Sequence, residues 1–491
     1  NVSVSYRNTY NLALPGFKPN VGDMLGQTRR DGLFSPGVGF GFGFVDDSYI
    51  DTAKERGWLL CSDSVATHAT TSTTEDVQVK MALEPFTDLK VDLSMSRTHN
   101  RNKSIQYMYH GNPTTQSGSF NMTTISLRTA FASRGNVRNG YSSKTFNRFK
   151  DYLGIMQQRV ESRYHHTTYP QGTGMSGTFN PANGTVDRYS ADVMVPAFLA
   201  AYTGGNPRTR SLDIFPALTK MLPNWNVSYK GLGNLPWVRD NFKSVTLTHG
   251  YKCVYAVGSY NSYSSWIEVM GSGGSLGYVQ NTTTGLYQPS SAFDIGTVSI
   301  NESFSPLIGL NMTFNNNMTL KMEYKTTRVL ALSMTSAQLN ETGSNDIVVG
   351  WGYKINDFRI GKLFGSGKAS AKASKKNKSK KGSQRNTEET TASSTSNTSN
   401  KSTFAHDLNL RFDFSFRNQD AIKRDLQTSL CEATSGSKAI KTSAQIDYTV
   451  SRMVTLSIYY DRQRSQPLLS SSSYPTVTQD FGMSMKFSLT R

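Results

Sequence analysis

Phe481-Gly482-Met483-Ser484-Met485-Lys486-Phe487-Ser488-Leu489-Thr490 alternates apolar and polar residues without a break. Strict period two is the mark of a strand with one apolar and one polar face. Leu408, Leu410, Phe412, Phe414 and Phe416 repeat the pattern against Asn409, Arg411, Asp413, Ser415 and Arg417. A water-filled interior can hold those charges, whereas a packed core cannot. The same alternation recurs at Val2–Tyr6, Val77–Leu83, Leu89–Met95, Trp225–Tyr229, Val245–Tyr255, Ile308–Phe314, Leu320–Tyr324, Ile347–Ile355, Ala444–Val450 and Val454–Tyr460, twelve stretches in all. The expected fold is all-β: an antiparallel transmembrane β-barrel segment of about twelve strands from a larger barrel, with long extracellular loops, some of them helical.

The connections fall into two classes. Short turns are read at Pro85–Asp88, Asn315–Asn317 and Ser451–Arg452, and long connections at about 15–75, 98–221, 258–305, 334–345, 418–439 and 463–477. In outer-membrane barrels short turns face the periplasm and long loops the outside. The resulting division is 1–97, strands with a long Gly/Phe-rich loop; 98–221, an extracellular or lumenal excursion with helix; 222–361, strands; 362–403, a disordered insert; and 404–491, the last strands. Within the excursion, Phe149, Leu153, Met156 and Val160 are spaced as on a helix, and Val193–Tyr202 is apolar enough to be buried. The region is expected to fold over or into the barrel mouth.

Composition agrees. Only 36% of the 491 residues are hydrophobic and 18% charged, yet aromatics reach 11%, which a disordered chain would lack. A wall with lipid on one side and water on the other needs this mixture. No apolar run is long enough for a membrane helix. The chain opens Asn1-Val-Ser without an initiator Met or signal-peptide pattern, and is read as a piece of a longer protein.

The formal charge of +18 could suggest nucleic acid, but its distribution argues otherwise. Nine Lys and one Arg against two Glu lie between Lys362 and Lys401, in a Lys/Ser/Thr/Asn tract that reads as a solvating periplasmic insert. No nucleic-acid partner is expected. Cys61, Cys253 and Cys431 form no CxxC pair, and His165-His166 has no third ligand at a useful spacing, so neither metal nor cofactor is expected.

Gly37-Val38-Gly39-Phe40-Gly41-Phe42-Gly43-Phe44 superficially resembles a phosphate-cradling loop, but no Lys-Ser/Thr follows and no βαβ context surrounds it. Alternating Gly and Phe suits a strand or hairpin with closely stacked rings, and Gly37, Gly39, Phe40, Gly41, Phe42 and Gly43 form a candidate pore or loop motif. No Gly-x-Ser-x-Gly elbow stands in a suitable context, and His99 and His110 have no paired carboxylates near them, so no enzymatic activity is expected. Lys90, Asp92, Lys321, Glu323, Arg411 and Asp413 occupy polar strand positions and are read as lumen-facing charges. A mixed wall suits a wide aqueous channel, and plain hydration of that wall accounts for it more simply than substrate reading.

Several segments resemble the C-terminal part of the SprA/Sov family. They are Leu14-Pro-Gly-Phe17, Gly37–Phe44, Glu55-Arg-Gly-Trp58, Glu84-Pro-Phe-Thr-Asp-Leu89, Pro196–Gly204, Leu222–Leu232, Phe242–Tyr251 and Gln479–Thr490. The resemblance runs nearly end to end, apart from the Lys-rich tract. It implies the outer-membrane translocon of the type IX secretion system, also used in gliding motility: a barrel of about 36 strands, of which twelve would be about a third. It further implies export of folded cargo proteins bearing a C-terminal signal domain. Implied partners are a PorV-type shuttle barrel, a periplasmic plug protein, an inner-membrane motor and outer-membrane lipid. The alternative is a self-contained outer-membrane porin or nutrient-uptake barrel, which requires the first and last strands to pair.

Overall fold

The computed structural model describes residues 1–20, 22, 27–30, 33–61, 67–107, 114–281, 283–356, 358, 406–451, 453–469 and 474–488. The Lys-rich tract, His110, Arg452 and the terminal Leu489 and Thr490 lie outside the described residues.

Among the described residues thirteen strands of six residues or more form one antiparallel sheet: β1 (Val2–Ala13), β2 (Ala69–Leu83), β3 (Leu89–Ile105), β4 (Thr115–Thr123), β5 (Asn224–Tyr229), β6 (Phe242–Ser262), β7 (Thr297–Phe314), β8 (Met318–Ser333), β9 (Gln338–Ile355), β10 (Leu408–Asp425), β11 (Cys431–Ser451), β12 (Val454–Pro467) and β13 (Thr476–Phe487). They are laid down in chain order, with β4 and β5 sharing one position, and the short Phe293–Ile295 pairs beside β6. Among the described residues β1 and β13 do not pair, so the sheet has two free edges. The fold is all-β, an open antiparallel β-wall of twelve strand positions. No described helix is long and apolar enough to cross a membrane, which says nothing about strands.

Register joins the alternating stretches into one apolar face. One row runs Tyr324–Ile347–Phe416–Ile440 and the next Met322–Val349–Phe414 across β8 to β11. Farther along, Ile446–Ile458–Met483 and Tyr448–Leu456–Met485 carry it to the edge of β13. The side chains of these rows are half-buried to exposed, and others of the same band are more open, Ile308 by 60%, Phe481 by 72% and Val4 by 68%. The exposed apolar band occupies only the half of each strand next to the tight connections Glu84–Asp88 and Asn315–Asn317. Toward the other end, the loop end, the same face is buried or polar: Ile300, Leu330, Leu332 and Leu339 are fully covered.

The strands run farther toward the loop end than periodicity suggested. Much of the spans expected as long connections at 334–345, 418–439 and 463–477 is strand, joined by Met334–Ala337, Leu426–Leu430 and 468–475. The reason lies in the outer rows: Asn345, Asn418, Lys438 and Gln466 pair in one row on the apolar side, so the hydrophobic period stops while the ladder continues.

A second correction concerns the excursion. β3 continues to Ile105 and β4 pairs with it, so residues 98–123 belong largely to the wall. The excursion proper is 124–223, and it interrupts a strand. β4 and β5 lie end to end between β3 and β6: Met122 is opposite Arg97, and Asn224 opposite Ser94. At the break, side chains replace ladder bonds, with Ser96 N donating to Thr123 Oγ1 (3.2 Å) and Cys253 N to Asn224 Oδ1 (2.7 Å).

The excursion has a core of its own. α3 (Lys144–Ser162) buries Phe149, Leu153, Met156 and Val160, and α4 (Ala191–Thr203) is buried from Val193 to Tyr202. Phe149 packs edge-on against Phe198 with ring centres 5.8 Å apart. α4 stops at Gly204, whose φ of 74° suits glycine and where a Cβ would lie 2.6 Å from Arg128 Cδ. The excursion core is continuous with the covered rows of β6 to β9.

Candidate functional site

The six predicted lumenal charges share the polar face, opposite the apolar band. Lys321 lies in the row Asn311–Lys321–Gly350–Asp413–Ser443–Asp461. Arg411 and Glu323 stand one side-chain position to either side, and Lys90 and Asp92 lie on β3 near the other edge. Lys90 pairs with Asp92 at 3.3 Å, and Glu323 holds both Lys321 (3.0 Å) and Lys325 (2.9 Å). Arg417 makes a two-pronged contact with Asp346 at 3.0 Å. Gly350 leaves room for Asp413, whose Oδ1 would lie 2.8 Å from a Cβ placed there. Two grooves cross this face. One, of about 630 Å³, is lined by Lys80, Asp92, Asn226, Lys252 and Ser303 among others; the second, of about 510 Å³, by Asp346, Asp413, Arg417 and Lys441 among others. The result is a polar face of mixed charge.

The Gly/Phe motif is not brought to that wall. Instead of a strand or hairpin, Val38–Gly41 makes a single helical turn, α1, because Gly41 N and Phe42 N bond back to Gly37 O and Val38 O. Phe40 packs on Tyr49, while Phe42 and Phe44 are exposed. The following helix α2 (Ser48–Glu55) is tied to the apolar face at the loop end, where Asp47 pairs with Lys103 (2.6 Å) and accepts from Tyr10 (3.1 Å).

Sequence reasoning missed a set of buried ion pairs that fasten the excursion to the apolar face. Glu302 and Arg328 meet at 2.7 Å, and Glu302 also accepts from Ser126 Oγ (2.6 Å) and Tyr251 OH (2.7 Å). Arg328 donates through Nη1 to Thr129 O (2.6 Å). Glu341 and Arg424 meet at 3.0 Å, and Arg424 donates onward to the carbonyls of Arg134 (2.7 Å) and Tyr141. Arg134 in turn pairs with Asp420 at 2.8 Å, in space that Gly343 leaves open: a Cβ there would fall on the Arg134 guanidinium. Removing one partner of a buried pair costs about 3–5 kcal/mol, so the excursion is held as a fixed part of the wall. A signal did exist in the sequence: Asp420 and Arg424 continue the apolar parity of Phe412–Phe416, where lipid would not accept them.

Ser126 Oγ also lies 3.3 Å from Cys253 Sγ, bringing a hydroxyl, a thiol and the Glu302 carboxylate together. All are buried beneath the excursion and committed to these bonds, which suits fastening. Among the described residues, no group of three or more His, Cys, Asp or Glu could hold a metal.

No protein-family model matches the chain, and neither does any curated protein. Solved structures similar to it include the β domain of the Bordetella autotransporter Brka, at 6% identity and a TM-score of 0.22, covering 86% of this chain and 92% of that one. Another is the trimer form of OmpT, an outer membrane protein of Vibrio cholerae, at 10% identity and 0.21, covering 86% and 93%. At such scores the alignments add nothing to the fold, which rests on the strand pairings themselves.

Proposed function

We propose that this chain builds part of the wall of an outer-membrane protein-conducting channel, the translocon that exports folded cargo with a C-terminal signal domain in type IX secretion and gliding motility. The observation that carries the reading is the two-faced open sheet: a polar face of mixed charge along the strands, an apolar band on the opposite face, and two edges unpaired among the described residues. The band is four to five side chains deep on β10 to β13, which matches the roughly 9–11 residues a tilted strand needs to cross lipid. Lipid does not tolerate a free edge, so β1 and β13 need neighbours supplied by more wall. A self-contained porin would pair them with each other. The family resemblance supplies the expected partners: cargo, a PorV-type shuttle barrel and a periplasmic plug.

The test uses single cysteines in the full-length protein in cells. With a tightly folded cargo stalled in the channel, Asn311→Cys and Ser443→Cys on the polar face should lose reactivity toward an aqueous maleimide. Leu310→Cys on the apolar face should stay unreactive throughout. Equal labelling of Asn311→Cys and Ser443→Cys with and without stalled cargo would sink the proposal.

A further inference from the structure

The segment Ser126–Val137, where the excursion leaves the wall, crosses the apolar face at one level. That level is the row Cys253–Glu302–Arg328–Gly343–Asp420–Gly436, which spans β6 to β11. The segment touches it in sequence: Ser126 at Glu302, Thr129 at Arg328 and Arg134 at Asp420. Phe131 stacks on Phe304 of the next row with ring centres 5.3 Å apart. Val137 lines a groove of about 590 Å³ with Asn418, Lys438 and Gln466 of that same row. The row after that, Tyr324–Ile347–Phe416–Ile440, begins the apolar band. Each row is two residues, about 7 Å, from the next. The segment is therefore a strap with one polar row between it and the band.

Its free side carries three large apolar side chains among polar ones, and its surroundings are basic. Leu127 is 40% exposed, Phe131 64% and Val137 75%. Exposed Arg128 lies on the strap, donating through Nη1 to Gly204 O (2.9 Å), and exposed Arg138 follows directly after it. On β12 the apolar run ends at Tyr460, and exposed Arg462 and Arg464 follow it on the same face, in the rows of Thr442 and Ile440, with Lys438 of β11 one row nearer the strap. The nearby acid, Asp420, is taken by Arg134.

We infer that the strap rests on the membrane surface, with Leu127, Phe131 and Val137 dipping to the acyl boundary and the basic rim engaging the phosphates of anionic lipid headgroups. The inference builds on the outer-membrane reading. Position next to the exposed band, across one polar row, selects lipid as the occupant, and the sign of the rim selects anionic headgroups.

The test places an environment-sensitive fluorophore at Phe131→Cys, Val137→Cys or Ile347→Cys of the full-length protein, with Cys61 and Cys431 replaced by Ser. The protein is reconstituted in phosphatidylcholine vesicles with or without added phosphatidylglycerol. Ile347→Cys should lose most of its emission to an acyl-chain quencher. Phe131→Cys and Val137→Cys should emit to the blue of a water-exposed label and be quenched from the headgroup level. That quenching should strengthen with phosphatidylglycerol, fall back when Arg462→Gln and Arg464→Gln are combined, and ignore added inorganic phosphate. Water-like emission at Phe131→Cys and Val137→Cys alongside a quenched Ile347→Cys overturns the strap's placement. An unquenched Ile347→Cys overturns the outer-membrane reading instead. Indifference to phosphatidylglycerol, or competition by inorganic phosphate, overturns the headgroup contact.

Discussion

Asp192 sits in the first turn of α4, where the helix dipole would ordinarily favour a carboxylate. Burial dominates and pushes its pKa from 3.8 up to about 6, against the opposing pull of Arg163 and a hydrogen bond with Ser291. An acid with a raised native pKa binds protons more tightly when folded. The stabilisation is therefore fully present below the unfolded value of 3.8 and is lost as pH rises through about 6. Two pKa units set a ceiling of about 3 kcal/mol, and partial exposure lowers it. Hydrogen exchange of α4 should thus show stronger protection at about pH 4.5 than at about pH 8, with Asp192→Asn flattening the difference. A slope unchanged in Asp192→Asn would assign the dependence to another group.

The interrupted strand makes a prediction at the level of elements. On β3, Arg97 faces Met122 and Ser94 faces Asn224; on β6, Val254 faces Thr123 and Tyr251 faces Trp225. Both neighbours therefore leave the same single vacant position between Thr123 and Asn224. Replacing 124–223 by one threonine should give a continuous strand in unchanged register. Disulfides between Asn100→Cys and Ser119→Cys, and between Lys90→Cys and Ser228→Cys, should form in both chains. Loss of the second disulfide in the shortened chain would show that the excursion sets the register of β5. The sequence showed every strand position, because half of each strand meets an apolar surroundings that imposes period two. It could not show the outer halves, where Asn345, Asn418 and Lys438 end that period. Nor could it show the break, since whether Thr123 is followed by Asn224 in space depends on pairings made by other strands. The candidate site divided likewise: parity placed Lys90, Asp92, Lys321, Glu323, Arg411 and Asp413 on one face, but alternating Gly and Phe did not reveal the helical turn at Val38–Gly41.

For the whole molecule, the free edges are the feature most open to direct trial. Val4 and Met483 lie on the apolar face of the two end strands, in rows leading to Val79 and Ile458. In the full-length protein in membranes, Val4→Cys and Met483→Cys should form no disulfide with each other, whereas Val4→Cys and Val79→Cys should. An efficient Val4→Cys to Met483→Cys disulfide would mean that the twelve strand positions close into a barrel. The vacant position between Thr123 and Asn224 also bears on the order in which the wall forms. While residues 124–223 are unfolded, closing a loop of that length costs about 2 kcal/mol more than closing one of a tenth the size. Once they have folded and brought Thr123 beside Asn224, β5 meets β3 and β6 as a near neighbour. Folding of the excursion ahead of β5 should therefore speed the pairing of β5, and a chain whose excursion is slow to fold should accumulate with β4 paired and β5 free, which pulsed hydrogen exchange would read.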